Sequence, residues 1–152
     1  RRAGSRNVQA LSKAAELRPL EGQMDLVLVD APCTGSGTWR RRPDAKWRLT
    51  QKQLDVRIGE QSAILDAASR YVRPGGRLVY ITCSVFRVEN GNQIEGFLRR
   101  QSGFTPADQG KLWTDNVPAG DGRARIEPTG ITLTPARSGT DGFFFAALVS
   151  KG

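Results

Sequence analysis

The spacing of apolar residues changes several times along the chain, and each change predicts an element. Met24 to Val29 is a near-continuous apolar run with β-branched residues, the pattern of a strand covered on both faces. Arg77 to Thr82 is a second buried strand. Between them, Ile64, Leu65, Ala68, Tyr71 and Val72 share one helical stripe within residues 61–72. Pro74-Gly75-Gly76 reads as the stop of that helix. Residues 89–100 predict a second amphipathic helix, with Ile94, Phe97 and Leu98 on its apolar side and Gly91 and Gly96 weakening it. Ile131 to Pro135 and Phe143 to Val149 read as strands, and Gly139-Thr140-Asp141-Gly142 between them supplies the turn of a carboxyl-terminal β-hairpin.

Other stretches are less periodic. Residues 1–20 suit a helix through Val8, Leu11, Ala14, Ala15 and Leu17, or a short strand opening at Asn7-Val8-Gln9. Residues 34–50 read as a long loop rich in Gly, Arg and Trp, and residues 103–128 as mostly irregular. Strand, helix, strand, helix and hairpin together describe part of a doubly wound α/β sheet. The Gly-rich nucleotide loop that usually opens such a sheet is missing, since Gly35-Ser36-Gly37 is too short to be one.

Composition narrows the function. At 152 residues the chain is one domain. Its first residue is Arg1 rather than Met, so it is expected to be a fragment or a processed chain. No apolar run approaches the roughly 20 residues that span a bilayer, so no membrane partner is expected. A formal charge of +8 favours a polyanion, or serves solubility alone. With no His, imidazole bases, His metal ligands and Ser-His-Asp triads are excluded within these residues. Two cysteines cannot build a zinc site, so no metal is expected, and nothing suggests a small disulfide-bonded secreted scaffold. The expected setting is the reducing cytoplasm.

The two cysteines carry the candidate chemistry. Cys33 follows the first strand in Asp30-Ala31-Pro32-Cys33-Thr34-Gly35, and Cys83 follows the second in Thr82-Cys83-Ser84. The crevice beyond the carboxyl ends of strands is where open α/β sheets bind ligands, so both thiols could share one site. Cys83 is either a nucleophile, its pKa lowered by Arg87 or Arg40 to Arg42, or a small apolar residue at a strand end. Asp30 either hydrogen-bonds a base or braces the following loop. Trp39 to Arg48 combines Arg40, Arg41, Arg42, Lys46 and Arg48 with Trp39 and Trp47. That mixture suits phosphate contact and base stacking on unpaired nucleic acid, or a solvated basic loop with one Trp tucked into the core.

Taken together, Asp-Ala-Pro-Cys-Thr-Gly after one strand and Thr-Cys-Ser after the next resemble the RNA 5-methylcytosine methyltransferases of the Sun and nucleolar-protein type. Arg2-Ala3-Gly4 with Asn7-Val8-Gln9, Arg42-Pro43-Asp44 with Lys46-Trp47-Arg48, Glu89-Asn90 and Thr140-Asp141-Gly142-Phe143-Phe144 extend the resemblance over nearly the whole chain. It implies a partial Rossmann-like sheet, dependence on S-adenosylmethionine, and RNA, mostly rRNA, as substrate. Cys83 would add to carbon 6 of cytosine so that carbon 5 accepts a methyl group. Cys33 would assist release of the adduct, and Asp30 would hold the base. Asp30, Ala31 and Pro32 would touch the cofactor, and Arg40, Arg41, Arg42, Lys46, Trp47 and Arg48 the RNA.

The departures are specific. The family's Gly-rich cofactor loop and its ribose-holding acid have no counterpart here, and Ala10-Leu11-Ser12-Lys13 lacks the Asp the family tends to carry there. Residues 1–152 are therefore expected to be the carboxyl-terminal part of one catalytic domain, inactive alone, with the amino-terminal half of that domain as a partner. Self-association through an exposed edge of the first strand is the further expectation. Two other classes fit part of the pattern, a non-catalytic RNA-binding module and an amino-group methyltransferase. The latter typically shows Asn/Asp-Pro-Pro-aromatic where this chain has Asp30-Ala31-Pro32-Cys33. A DNA cytosine methyltransferase would instead use the Pro-Cys thiol as nucleophile.

Overall fold

The structure is a computed structural model that describes residues 4, 6–11, 13–117 and 122–152. Strand β1 (Met24–Asp30) leads through helices α1 (Pro43–Arg48) and α2 (Gln51–Ser69) to β2 (Val72–Thr82). Next come α3 (Gly91–Arg100), β3 (Phe104–Pro106), α4 (Gln109–Asn116), β4 (Ala124–Glu127), β5 (Gly130–Leu133), α5 (Pro135–Ser138) and β6 (Phe143–Ser150). The strand order is β1-β2-β6-β5-β4, with β3 alongside the far end of β6. β1 and β2 are parallel, as a helical crossover requires, and the other pairings are antiparallel. This is the mixed α/β arrangement expected from the sequence, closed by the β5–β6 pair that residues 131–135 and 143–149 predict.

α2 and α3 cover one face of the sheet. Val29, Leu78, Tyr80, Phe144, Ala146 and Leu148 meet Leu65, Ile94 and Phe97 there in one buried cluster. On the other face α4 packs over β4 and β5, with Leu112 and Trp113 beside Ile131 and Phe145. That second cover stops short of β1. Leu26 and Leu28 are 56% and 59% exposed, so the expectation of a strand covered on both faces is corrected: within the described residues β1 is an edge strand with one open face.

Several element boundaries also differ. α2 begins ten residues before the predicted helix because Thr50 and Gln53 form a capping box: the Gln53 N–H donates to Thr50 Oγ1, and the Thr50 N–H to Gln53 Oε1. It ends at Ser69, and Val72 already belongs to β2. Pro74-Gly75-Gly76 does not stop a helix. It lies inside β2, where the register jumps from Met24↔Val72 to Leu26↔Arg77, and Gly75 takes φ 73° to make the bulge. A 3-10 turn at Arg87–Glu89 precedes α3, which starts at Gly91. The expected loop at 34–50 contains a 3-10 turn at Ser36–Thr38 and α1. The stretch read as irregular, 103–128, holds β3, α4 and β4, although its residues 118–121 lie outside the described ones. In the ambiguous amino-terminal stretch, Ala14–Leu20 forms a 3-10 helix, and Arg2, Ala3 and Ser12 lie outside the described residues.

Candidate active site

Three loops meet at one end of the sheet. Two leave the carboxyl ends of β1 and β2, and the third enters the amino end of the antiparallel β6. Backbone bonds zip them together: Ala31 N–H to Ile81 O (2.9 Å), Gly37 N–H to Cys83 O (2.9 Å), and Gly142 N–H to Gly37 O (2.8 Å). The Val85 N–H donates to Ser36 Oγ, which also bonds Ser84 Oγ at 2.9 Å. Gly37 is required by this approach, because a Cβ there would drive into the Gly142 carbonyl, 2.6 Å from its carbon.

Within this frame the two thiols lie 3.4 Å apart, both partly buried and both free. They behave as one couple. Either sulfur can be the donor in this contact; with Cys33 donating, the hydrogen bond, reinforced by burial, pushes the Cys33 thiol well above its ordinary range. The same bond lowers Cys83 to about 7, against the opposing effect of burial and of the nearby Asp30 and Glu89 charges. The pairing thus favours the thiolate at Cys83 and the protonated thiol at Cys33. Of the arginines expected to do this, Arg41 is close enough for its charge to act on Cys83, but the guanidinium hydrogen bonds of the cluster go elsewhere. Arg87 turns to Glu95 (3.0 Å) and Glu127 (3.6 Å), and Arg41 is tied to Asp141.

Asp30 ends β1 exposed, and its carboxylate makes no hydrogen bond or ion pair among the described residues. It does not brace the following loop. Ala31 and Pro32 are committed inward: the Ala31 N–H goes to Ile81, and the Pro32 carbonyl accepts from Gln61 Nε2 at 2.9 Å. Of these three, only Asp30 offers an unused polar side chain.

The basic segment divides. Trp39 is tucked edge-on against Phe86, with ring centroids 5.5 Å apart. Trp47 on α1 is 81% exposed, with the Lys46 ammonium 5.2 Å from its ring centre. Arg41 and Arg40 face Asp141 of the third loop at 2.5 and 3.6 Å, and Arg48 faces Asp44 at 2.5 Å. The Arg41 guanidinium in turn holds the Asp141 carboxyl below the usual carboxylate range. Arg42 makes no ion pair among the described residues. A cavity of about 230 Å³ opens beside Cys33, walled by Thr34, Ala45, Arg48, Leu49, Gln53 and Arg57. Arg57 and Gln53 were not singled out from the sequence, because the helix that carries them shows no apolar stripe over 51–60.

Nor does sequence reasoning assign a role to Glu89, which is wholly buried between the loops. It accepts from Thr34 N–H (2.9 Å), Thr34 Oγ1 (2.6 Å), Gln61 Nε2 (3.0 Å) and Ser84 Oγ. Its neighbour Asn90 brackets Cys83, accepting from Thr82 Oγ1 (2.6 Å) and donating to Ser84 O (2.9 Å). Among the described residues no cluster of three or more His, Cys, Asp or Glu is placed to hold a metal ion.

This arrangement can be set beside known proteins. A family model described as 16S rRNA methyltransferase RsmB/F matches residues 2–149. The chain belongs to this family. Ribosomal RNA small subunit methyltransferase B of Xylella fastidiosa strain Temecula1 is 43% identical over 125 residues, which are 82% of this chain and 27% of that protein. The protein of the same name from Enterobacter sp. strain 638 is 36% identical over 155 residues, 95% of this chain and 33% of its own length. The structure of NSun6 from Pyrococcus horikoshii with SFG superimposes with a TM-score of 0.74 at 28% identity, covering 99% of this chain and 36% of that one. This RsmB/F-family chain therefore spans about a third or less of the length of these curated relatives, and its fold is the Rossmann-like sheet of S-adenosylmethionine-dependent methyltransferases.

Proposed function

We propose that the chain carries the cysteine-bearing part of a catalytic domain that methylates carbon 5 of cytosine in RNA, with rRNA as the substrate. The observation that carries this reading is the 3.4 Å thiol pair at the exits of two adjacent parallel strands, beside a carboxylate with no hydrogen-bond or ion-pair partner among the described residues. One thiol suffices to attack a base. A second, held protonated against the first, suits a reaction whose covalent adduct must also be taken apart.

In this reading the Cys83 thiolate adds to carbon 6 of a cytosine turned out of its stack, forming a C–S bond and making carbon 5 nucleophilic. S-adenosylmethionine, when bound, supplies the methyl group that carbon 5 accepts. The carbon-5 proton then leaves to solvent, its bonding pair restores the C5=C6 double bond, and the C6–S bond breaks. Cys33 donates its S–H to the departing Cys83 sulfur. Asp30 holds the amino and ring-nitrogen edge of the base and balances the charge of the protonated adduct. Arg42 and Lys46 neutralise phosphates and Trp47 offers a stacking face, while Arg40, Arg41 and Arg48 serve less because Asp141 and Asp44 already face them.

The fit to the cofactor is confined to one side chain. Asp30 would hold it or the base it serves, while Ala31 and Pro32 lend surface only, their N–H and carbonyl being spent. SFG, the group named with NSun6, is an analogue of S-adenosylmethionine, which supports that cofactor. The main cofactor loop is expected in the amino-terminal half of the domain. That half would pack on the open edge and face of β1, the chain alone would not turn over, and the copied edge would let isolated chains self-associate. The protein would act in the cytoplasm. No described helix is long and apolar enough to cross a membrane.

The test uses RNA containing 5-fluorocytosine, S-adenosylmethionine, and a polypeptide in which this chain is joined to a family cofactor half. Fluorine cannot leave as a proton, so a protein–RNA adduct accumulates on a denaturing gel. The adduct should vanish in Cys83→Ala and persist in Cys33→Ala. RNA binding without any adduct would overturn the enzymatic reading in favour of an RNA-binding module.

A further inference from the structure

Glu89 is an expensive residue for its place. It is wholly buried, and none of the four groups that donate to it is a cation. Burying a carboxylate costs free energy unless hydrogen bonds compensate it, and a position needing only shape would be filled as well by an apolar side chain. The donors show what it gains. Thr34 follows Cys33 in the chain and gives both its N–H and its hydroxyl. Ser84 follows Cys83 and gives its hydroxyl. Gln61 uses the same Nε2 to hold Glu89 and the carbonyl of Pro32, the residue before Cys33. Both chain neighbours of Cys33 and one of Cys83 are therefore fixed, directly or through one amide, on a single carboxylate.

The two thiol loops are not equally secured without it. Asn90 holds Cys83 from both sides whether or not Glu89 is present. On the other loop, the Thr34 side chain and N–H bond only Glu89 among the described residues, and Thr34 precedes Gly35, which sits at φ 68°. Released from Glu89, the stretch from Cys33 to Gly35 is held only from its two ends, through Ala31, Pro32, Ser36 and Gly37, and Cys33 can shift between them.

We propose that Glu89 is a positioning residue that clasps the Cys33 loop to the Cys83 loop and so keeps the second thiol within reach of the first. The inference rests on the reading of Cys33 and Cys83 as the pair that resolves the adduct. Glu89 touches neither sulfur and acts through Thr34, Ser84 and Gln61. A displacement of about 1 Å at a reacting group can cost on the order of 10²-fold in rate, so the clasp matters even though it carries no chemistry.

Disulfide closure measures the clasp without RNA or cofactor. The Cys83 thiolate attacks oxidised glutathione and releases one reduced glutathione. Cys33 then attacks the mixed disulfide, releases the second, and closes the Cys33–Cys83 bond. The rate of the second step, followed by mass spectrometry on quenched samples, reports how closely the thiols are held. Glu89→Ala should slow it by about tenfold or more, and Thr34→Val, which keeps the N–H bond, by less. Glu89→Gln should recover to within about threefold of the parent, since its oxygen accepts from the Thr34 and Gln61 N–H groups and its amide donates to the Thr34 and Ser84 hydroxyls. If Glu89→Ala melts, the order parent, Gln, Val at 34 still decides. In the joined polypeptide Glu89→Gln should keep kcat, while Thr34→Val lowers kcat and leaves KM for RNA unchanged. Closure as fast in Glu89→Ala or Thr34→Val as in the parent would overturn the clasp. So would Glu89→Gln closing as slowly as Glu89→Ala at equal thermal stability. An absent fluorocytosine adduct in the parent would instead count against the catalytic reading and leave the clasp standing.

Discussion

Gly37→Ala tests whether the three loops are packed as tightly as the geometry states. The added Cβ would meet only backbone: the Gly142 carbonyl, 2.6 Å from its carbon, and the Cys83 oxygen at 2.8 Å. No flexible side chain can yield, so the loops must separate, and the bonds from Gly37 N–H to Cys83 O and from Gly142 N–H to Gly37 O stretch or break. Overpacking of this kind costs about 1–3 kcal/mol, and losing two backbone bonds at about 1 kcal/mol each brings the total to roughly 3–5 kcal/mol. For a chain of this size that is a fall in Tm of roughly 6–20 °C. Gly59→Ala is the matched control. Gly59 lies inside α2 with nothing within 4 Å of a Cβ, so the same chemical change there should stabilise by about 0.5–1 kcal/mol through higher helix propensity. Both variants are read by circular-dichroism melting and by urea titration with unchanged m. If Gly37→Ala melts within about 2 °C of the parent, the loops are not in contact as described and the thiol pairing built on them fails.

Three further outcomes follow from the same site. Alkylation of Cys83 by iodoacetamide should rise with pH in both the parent and Cys33→Ala, with different midpoints. The parent should react with a midpoint near 7, its rate falling as pH drops through that value because the thiolate is protonated, and Cys33→Ala should need a higher pH because no donor is left at that position. Arg42→Ala and Lys46→Ala should each reduce the salt dependence of single-stranded RNA binding by a slope of about 0.7, whereas Arg41→Ala and Arg48→Ala should change it less, since Asp141 and Asp44 already neutralise those charges. Leu26→Lys with Leu28→Glu should keep the isolated chain monomeric in sedimentation experiments at concentrations where the parent associates. Identical sedimentation of the two would remove β1 as the contact.

What the sequence reveals and what it hides divide along physical lines. The thiols are legible because their setting is local: an apolar run ends, a Cys follows within a few residues, and the strand exit faces the crevice. β2 is legible for the same reason, since Leu78, Val79 and Tyr80 are all buried as their pattern demands. The pattern of β1 is equally apolar, yet Leu26 and Leu28 stand open. Periodicity states what a strand is suited to bury and says nothing about which element supplies the cover. The start of α2 was encoded in Thr50 and Gln53, but residues 51–60 are mostly polar and none of them is fully buried, so the apolar stripe of 61–72 gives little reason to prolong the helix backward. Pro74-Gly75-Gly76 is chemically a breaker, and whether it breaks a helix or bulges a strand depends on a partner strand nearly fifty residues earlier.

The same division explains why the most consequential polar residue of the site carries no local signature. Glu89 bonds Thr34 across 55 residues of chain and Ser84 across five, and no spacing rule distinguishes a buried glutamate from the solvated ones around it. Its burial is decided by three loops converging at one end of the sheet, and that convergence depends in turn on Gly37 and Gly142 lacking side chains. The thiol pair is thus the visible end of a longer construction. Two cysteines at strand exits are necessary for a couple that holds one proton between two sulfurs, but they become that couple only when the backbones behind them are locked to within a few tenths of an ångström. Changes at Glu89, Thr34 and Gly37 should therefore impair thiol pairing through position alone, whereas Cys83→Ala removes the reacting atom and leaves the three loops where they are.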